Sequence, residues 1–327
     1  MGRVLGRTVL LLAVLGVLAG VAYQGVLDLF EASGPATEDT TVVLPKGAGL
    51  TDIADRLAAS GVVAKPLLFV VGVRLNRAQA RLRAGEYLFP AGIGGRDVMV
   101  MLVEGRTVVR RVTIPEGLTS REIVALVAAA DGLTGGIAAP PPEGSLLPET
   151  YHYALDDDRA DLVRRMTEAM AAKVAEAWAA RDPALALTSP AELVVLASIV
   201  EKETGVPEER ARIAGVFLNR LRLGMPLQSD PTVVYALTQG AGPLGRALTR
   251  DDLEIASPYN TYANGGLPPG PIAHPGADAL AAVAHPMASN ELYFVADGSG
   301  GHAFAANLAE HNRNVAAWRK VRNTTTP

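Results

Sequence analysis

Leu196-Ala197-Ser198-Ile199-Val200-Glu201-Lys202-Glu203-Thr204-Gly205 is an apolar run that ends in two carboxylates and a glycine. From Ala191 to Val200 the only charged residue is Glu192, so a helix through this run is apolar nearly all round and must be buried. At 100° per residue Glu203 falls on the track of Leu196, Ile199 and Val200, whereas Glu201 falls on that of Val194, Ala197 and Ser198. The two acids therefore point in different directions. Gly205 reads as the C-terminal cap, and a carboxylate in the last turn faces the negative end of the helix dipole. Burial against Ile199 and Val200 adds to that penalty on the charged form. Glu203 is thus a candidate for a carboxylic acid still protonated near neutral pH, as a general acid must be. The plain alternative is two surface acids at a helix end.

Composition narrows the classes. The 327 residues leave room for roughly two domains, and 49% apolar with 20% charged residues indicates globular packing. A net charge of −4, with no basic cluster interleaved with aromatics, argues against nucleic acid. Without cysteine there is no disulfide, thiolate metal site or catalytic thiol. His152, His274, His285, His302 and His311 do not pair at the close helical spacing of a zinc motif. No metal and no cofactor are expected.

The chain begins with an anchor signal. Thr8 to Leu27 are 20 uncharged residues, preceded by Arg3 and Arg7 and followed by Asp28, long enough for one transmembrane helix with the arginines cytoplasmic. A cleaved signal peptide ending near Gly20-Val21-Ala22 competes, but the run exceeds the ~7 to 15 residues of a signal core. Residues 1–30 are therefore assigned to a cytoplasmic tip and anchor, and 31–40 to a linker rich in Gly, Pro, Thr and acids.

Thr41–Leu44 reads as a strand stopped by Pro45. Leu50, Ile53, Ala54, Leu57 and Ala58 form the apolar face of a helix that Gly61 ends. Pro66 opens a second helix to Leu75, and Arg81–Phe89 returns as a strand. This order, with its opening PKGAGLTDIADRL, resembles the LysM module, a small domain that binds N-acetylglucosamine-containing glycans; a simple α/β spacer is the alternative. The module is assigned residues 41–106. A helix at 97–103 falls in that module, and a connecting α/β segment, 107–139, holds a strand at 107–114 and a helix from Thr119, its N-cap, to about Ala130. Gly132 to Gly144, with four glycines and Pro140–Pro142, is the strongest boundary signal, and residues 140–327 are assigned to a catalytic domain.

In that domain the periodicity predicts helices over 160–180, 191–200 and 207–223, the last with Ile213, Val216, Phe217 and Leu221 inward and Arg210, Arg212, Arg220 and Arg222 mostly outward. Leu227 to Thr232 is extended and polar. Leu292–Ala296 and His302–Phe304 form a hairpin about Asp297–Gly301, and a helix from about Leu308 to Val321 closes the chain.

The ordered motifs ASIVEKET, VFLNRLRLGMPLQSDPTVVYAL, SPYNTYANGGLPPGPIAHPGADAL, LYFVADGSGGHAF and the His311-Asn312 pair resemble the MltG/YceG family of endolytic murein transglycosylases. The resemblance implies an α+β chain: transmembrane helix, small LysM-like α/β module, then a mixed helical and strand catalytic domain. It implies a single-pass enzyme of the bacterial inner membrane with its catalytic domain periplasmic. This lyase would cut the MurNAc-β-1,4-GlcNAc bond of nascent peptidoglycan strands to leave 1,6-anhydro ends. Peptidoglycan strands and the membrane are the implied partners, with peptidoglycan synthases as further ones. One carboxyl serves that reaction as acid and then base, whereas ordinary glycosidases use two.

By the motif, Glu203 corresponds to the family's catalytic glutamate, with Glu201 second; its other role is a salt bridge or helix-end hydrogen bond. Gln228, Ser229, Asp230, Tyr235, Tyr259, Asn260, Thr261 and Tyr262 are the expected substrate contacts, and Glu149 a weaker candidate. Asp230 has a competing role as cap of the helix opened by Pro231. One of the tyrosines has a competing role in the core. His302 and His311 are expected to be structural. The competing functions are a hydrolytic muramidase using Glu203 with Asp230, and a non-catalytic glycan-binding scaffold.

Overall fold

The computed structural model describes residues 2–325, less the side chains of residues 2–6, 9 and 323–325. The side chain of Arg3, and the outermost bounds at 1 and 327, lie outside that description. The chain is mixed α/β, with eleven α-helices and three two-stranded sheets among the described residues. Two compact units divide it. The first runs to Arg110 and takes in Tyr153–Asp156; the second holds Arg111–His152 and the chain from Asp157 onward.

Helix α1, Gly2–Glu31, contains one stretch, Leu10–Glu31, long and apolar enough to cross a membrane. Leu10, Leu11, Leu12, Val17, Leu18 and Val21 are all exposed, an arrangement that water disfavours and a bilayer tolerates. The helix does not stop at the end of the apolar run. Phe30 is buried in the first unit, its ring 6.0 Å from that of Phe69, and a Cβ on Gly72 would meet that ring at 2.4 Å. Only glycine at 72 lets the two helices approach this closely. Residues 32–39 are likewise pinned: Gly34 N donates to Gly92 O and Ile93 O, and Ala91 N donates to Asp39.

The rest of the first unit follows the strand–helix–helix–strand order. β1 (Thr40–Leu44) pairs antiparallel with β2 (Gly85–Phe89), Thr40 opposite Phe89 and Leu44 opposite Gly85. Alternation puts Val42, Leu44, Tyr87 and Phe89 inward. Helices α2 (Leu50–Ala59) and α3 (Pro66–Leu75) cover that face, and α4 (Gly95–Glu104) closes the core with Val98 and Leu102 before Gly105 ends it at φ 71°. The expected strand from Arg81 begins only at Gly85; Arg81–Ala84 form a turn and an irregular stretch.

β3 (Arg110–Thr113) is shorter than expected and pairs with β4 (Thr150–Tyr153), which the sequence reading did not anticipate. α5 (Ser120–Ala129) starts at a capping box in which Thr119 and Glu122 bond each other's backbone N–H. The Gly132–Gly144 segment lies within the second unit, where Glu143 Oε1 accepts from Ser120 N at 2.6 Å.

α7 (Pro190–Glu203) is the centre. Ser189 caps it and Pro190 occupies its first turn, and Leu193, Leu196, Ala197, Ser198, Ile199 and Val200 are completely buried. It is enclosed by α6 (Arg159–Ala180), α8 (Arg210–Arg222), α9 (Asp230–Thr238) and α10 (Ala277–Ala284). Its hydroxyl Ser198 is satisfied, donating to Val195 O at 2.7 Å and accepting from Ile272 N at 3.0 Å. The hairpin of β5 (Tyr293–Ala296) and β6 (His302–Ala305) packs on α8 and on α11 (Leu308–Thr325).

Candidate functional site

Glu203 is the last residue of α7, and the helix ends differently from expectation. Thr204 is extended at φ −143°, ψ 137°, and Gly205 does not take a left-handed conformation. Thr204 Oγ1 receives Val206 N at 2.9 Å and donates to Glu209 at 3.3 Å, so a threonine-centred turn replaces the glycine cap.

The carboxyl of Glu203 lines a cleft of about 490 Å³ with Arg220, Gln228, Asp230, Tyr262, His302 and His311, and with apolar walls that include Leu227, Phe294 and Val315. Burial pushes its pKa up to about 7; Asp230 adds to the rise, while the Ser229 hydroxyl and Arg220 act against it. Ser229 Oγ donates to Glu203 Oε1, leaving Oε2 to carry the proton. Near pH 7 the group is therefore divided between acid and carboxylate.

Ser229 is held from behind. It is 1% exposed; its N–H donates to Thr261 Oγ1 at 3.0 Å and its carbonyl accepts from Thr232 Oγ1 at 2.7 Å, the two threonine hydroxyls being 2.8 Å apart. Gln228, preceding it, has φ 53°, a conformation uncommon outside glycine. Gln228 N donates to Thr261 O at 3.0 Å and its Oε1 accepts from Arg220 Nη1 at 3.2 Å, two bonds that stabilise the strained turn.

Arg220 is the main residue that sequence reasoning misplaced. Instead of facing outward it is 8% exposed, donating to Leu292 O, Pro226 O and Leu227 O at 2.6–3.1 Å. It ties the 226–228 segment to the approach of β5 and is a buried positive charge beside Glu203. Arg210 is also buried, and only Arg212 and Arg222 keep substantial exposure. The signal was present: Arg220 lies at i+7, i+4 and i+3 from inward Ile213, Val216 and Phe217.

The other expected residues separate into groups. Gln228, Asp230 and Tyr262 share the cleft with Glu203. Asp230 is the first residue of α9 and makes no side-chain cap; its carboxylate accepts from Tyr262 OH at 2.6 Å. Burial and that hydrogen bond raise the pKa of Tyr262 and keep it a phenol. Asn260 and Thr261 are buried scaffolding: Asn260 Nδ2 donates to Leu253 O and Ile255 O at 2.9 Å, and its Oδ1 accepts from Tyr262 N at 2.9 Å. Tyr235 and Tyr259 pack together with ring centroids 4.8 Å apart, and Tyr235 OH donates to Glu143. Glu201 turns away from the cleft, its side chain 6% exposed; it accepts from Gly276 N at 3.0 Å and lies 3.6 Å from Arg210. Glu149 is exposed.

Two histidines complete the wall. His302 Nδ1 lies 2.7 Å from Glu209, which also accepts the His302 N–H at 2.8 Å. His311 stacks on Tyr293 with centroids 5.1 Å apart, and burial together with Arg220 lowers its pKa, keeping it neutral. Among the described residues no three His, Asp or Glu side chains gather as metal ligands would. The arrangement sets one perturbed carboxyl at a helix end, a group able to give or take a proton near neutral pH.

Residues 42–317 match the model of the YceG-like family. An endolytic murein transglycosylase of Streptococcus pneumoniae serotype 2 is 32% identical across 93% of this chain and 63% of its own length, so the chain spans just under two thirds of that relative. The endolytic murein transglycosylase of Bacillus subtilis (strain 168) is 31% identical over 83% of this chain and 82% of its own. The crystal structure of a YceG-like protein from Listeria monocytogenes superposes with a TM-score of 0.52 at 30% identity, covering 85% of this chain and 99% of the other. The chain belongs to the YceG-like family.

Proposed function

We propose that the chain is an endolytic peptidoglycan lytic transglycosylase that cleaves the MurNAc-β-1,4-GlcNAc bond inside glycan strands, with Glu203 as acid and then base. The observation that carries this reading is the Glu203 carboxyl, raised to about 7 by burial at the wall of a mixed polar and apolar cleft and oriented by a buried serine. Protonated Oε2 gives its proton to the bridging oxygen as the bond from C1 to that oxygen breaks. The carboxylate so formed, stabilised by the Ser229 hydroxyl and the Arg220 charge, then takes the proton of the MurNAc 6-hydroxyl as that oxygen bonds to C1. The product end is 1,6-anhydro, and Glu203 is protonated again for the next cycle. Tyr262, Gln228 and His311 offer donors and acceptors to sugar hydroxyl and acetamido groups in the same cleft.

The names of the relatives support peptidoglycan as substrate, and Leu10–Glu31 supports a membrane anchor with Arg7 on the cytoplasmic side. The β1–α2–α3–β2 module takes the glycan-holding part in this reading. Asp230 in the same cleft favours a second reading, a hydrolase with two carboxylates. Mass spectrometry of digested glycan strands decides: 1,6-anhydro ends support the lyase, and reducing ends formed with water support the hydrolase. Glu203→Gln is expected to lower cleavage at least about 100-fold while glycan pull-down persists. Cleavage at the wild-type rate by that variant removes the mechanism.

A further inference from the structure

A second cavity of about 670 Å³ opens beside the Glu203 cleft, and Asp230 lines both. The last turn of α7 divides its side chains between them: Glu203 enters the smaller and Lys202 the larger. The walls of the larger cavity differ in kind. Pro231, Val234, Leu248 and Ile272 make it aliphatic. Its tyrosine, Tyr235, offers little ring face to a sugar, because that ring packs on Tyr259 and its hydroxyl is bonded to Glu143. A volume of this size, mostly apolar with a few polar groups, is the usual form of a small-ligand site.

The charged groups at the cavity also differ in how far they are satisfied. Arg246 is held by both oxygens of Asp252, at 2.5 and 2.9 Å. Glu122 is engaged with Thr119 in the capping box, and Asp230 receives Tyr262. Lys202, exposed to solvent, makes its hydrogen bond to a neutral carbonyl, Gly117 O at 3.0 Å, so its charge is available to an anion. The wall is preformed, since Thr119 Oγ1 donates to Gly240 O at 2.8 Å and pins the start of the Gly240–Arg250 loop.

Resting on the function proposed above, we infer that this second cavity binds the peptide branch of the glycan strand, its aliphatic walls taking small alkyl side chains and Lys202 a free carboxylate of that peptide. A sugar bound at Glu203 carries its branch past Asp230 into the neighbouring cavity, so the enzyme reads whether the strand is peptide-bearing before cutting it. A saccharide would find few polar partners there.

The test compares the full chain in detergent on two polymers: strands bearing peptides, and the same strands stripped by an amidase that cuts the peptide from the sugar. Wild type is expected to show a KM about tenfold lower for the peptide-bearing polymer, the effect of one or two alkyl groups placed in an apolar pocket. Leu248→Glu puts a charge in the half-buried wall and should erase that preference with cleavage of stripped strands unchanged. Lys202→Gln should reduce the preference at least about threefold, and more at low salt than at high. Equal KM for both polymers in wild type overturns the inference and leaves the catalytic reading standing. So does an equal loss on both polymers in the two variants. Cleavage of neither polymer by wild type removes the catalytic reading and the inference together.

Discussion

Glu203→Gln should make the second unit more stable in alkali while abolishing cleavage, and the sign follows from burial. A carboxyl whose pKa rises on folding contributes stability that is complete below its unfolded value and is lost as pH climbs through the folded value. For Glu203 those limits are the ordinary 4.5 and about 7. Ionising it in the folded protein thus costs about 3 kcal/mol more than in the unfolded chain, and partial contact with solvent reduces this to about 2 kcal/mol. Glutamine is a neutral isostere that still accepts the Ser229 hydroxyl, so it escapes the cost. Trp178 and Trp318 are the chain's two tryptophans and both lie in the second unit, so intrinsic fluorescence reports its melting. At pH 4, below the unfolded value, the two proteins should melt together. At pH 8.5 the variant should melt about 4–8 °C higher. An equal difference at both pH values, or a variant that melts lower in alkali, refutes the assignment of Glu203 as a carboxyl neutralised by burial.

Three further outcomes follow from other residues. Ser229→Ala removes a hydrogen bond that favours the Glu203 carboxylate, so the alkaline limb of kcat/KM should move up by about one pH unit while the plateau falls; a downward move contradicts the donor role. Asn260→Ala strips partners from Leu253 O, Ile255 O and Tyr262 N and should cost about 2–4 kcal/mol in thermal or urea unfolding of the second unit. Gly72→Ala drives a methyl into the Phe30 ring and should cost the first unit about 1–3 kcal/mol, seen as faster amide exchange over Pro66–Leu75 with cleavage of soluble strands little changed.

Much of this molecule was legible wherever one physical rule dominated. The apolar run before Glu203 had to be a buried helix, and opposite helical tracks sent Glu201 and Glu203 to different surroundings. Pro66 and Thr119 announced helix starts because each solves the problem of unpaired N–H groups locally. Legibility failed where a residue served two purposes. Arg220 looked like surface because arginine usually is, yet its spacing from Ile213, Val216 and Phe217 placed it inside, where carbonyls from distant segments satisfy it. Asn260 and Thr261 looked like sugar ligands because they are polar and flank tyrosines. Asn260 instead bonds the backbone of Leu253, Ile255 and Tyr262, and Thr261 reaches across to Ser229 and Thr232, an outcome of the fold that residue type does not encode. β4 was hidden because a short strand has too few residues to display a period, whereas Pro231 did mark the start of α9.

Helix α1 carries a mechanical consequence. Its apolar segment and Phe30 belong to one uninterrupted rod, and Phe30 is locked against Phe69 and Gly72. If the uncharged part of α1, up to Leu27, lies in a bilayer, the first unit is bolted to its support rather than tethered by a leash. Tilting of the rod within the lipid must tip that unit by the same angle, and its height above the headgroups is set in advance by where the helix seats. For a chain anchored in that way, membrane thickness would be a variable the first unit feels directly.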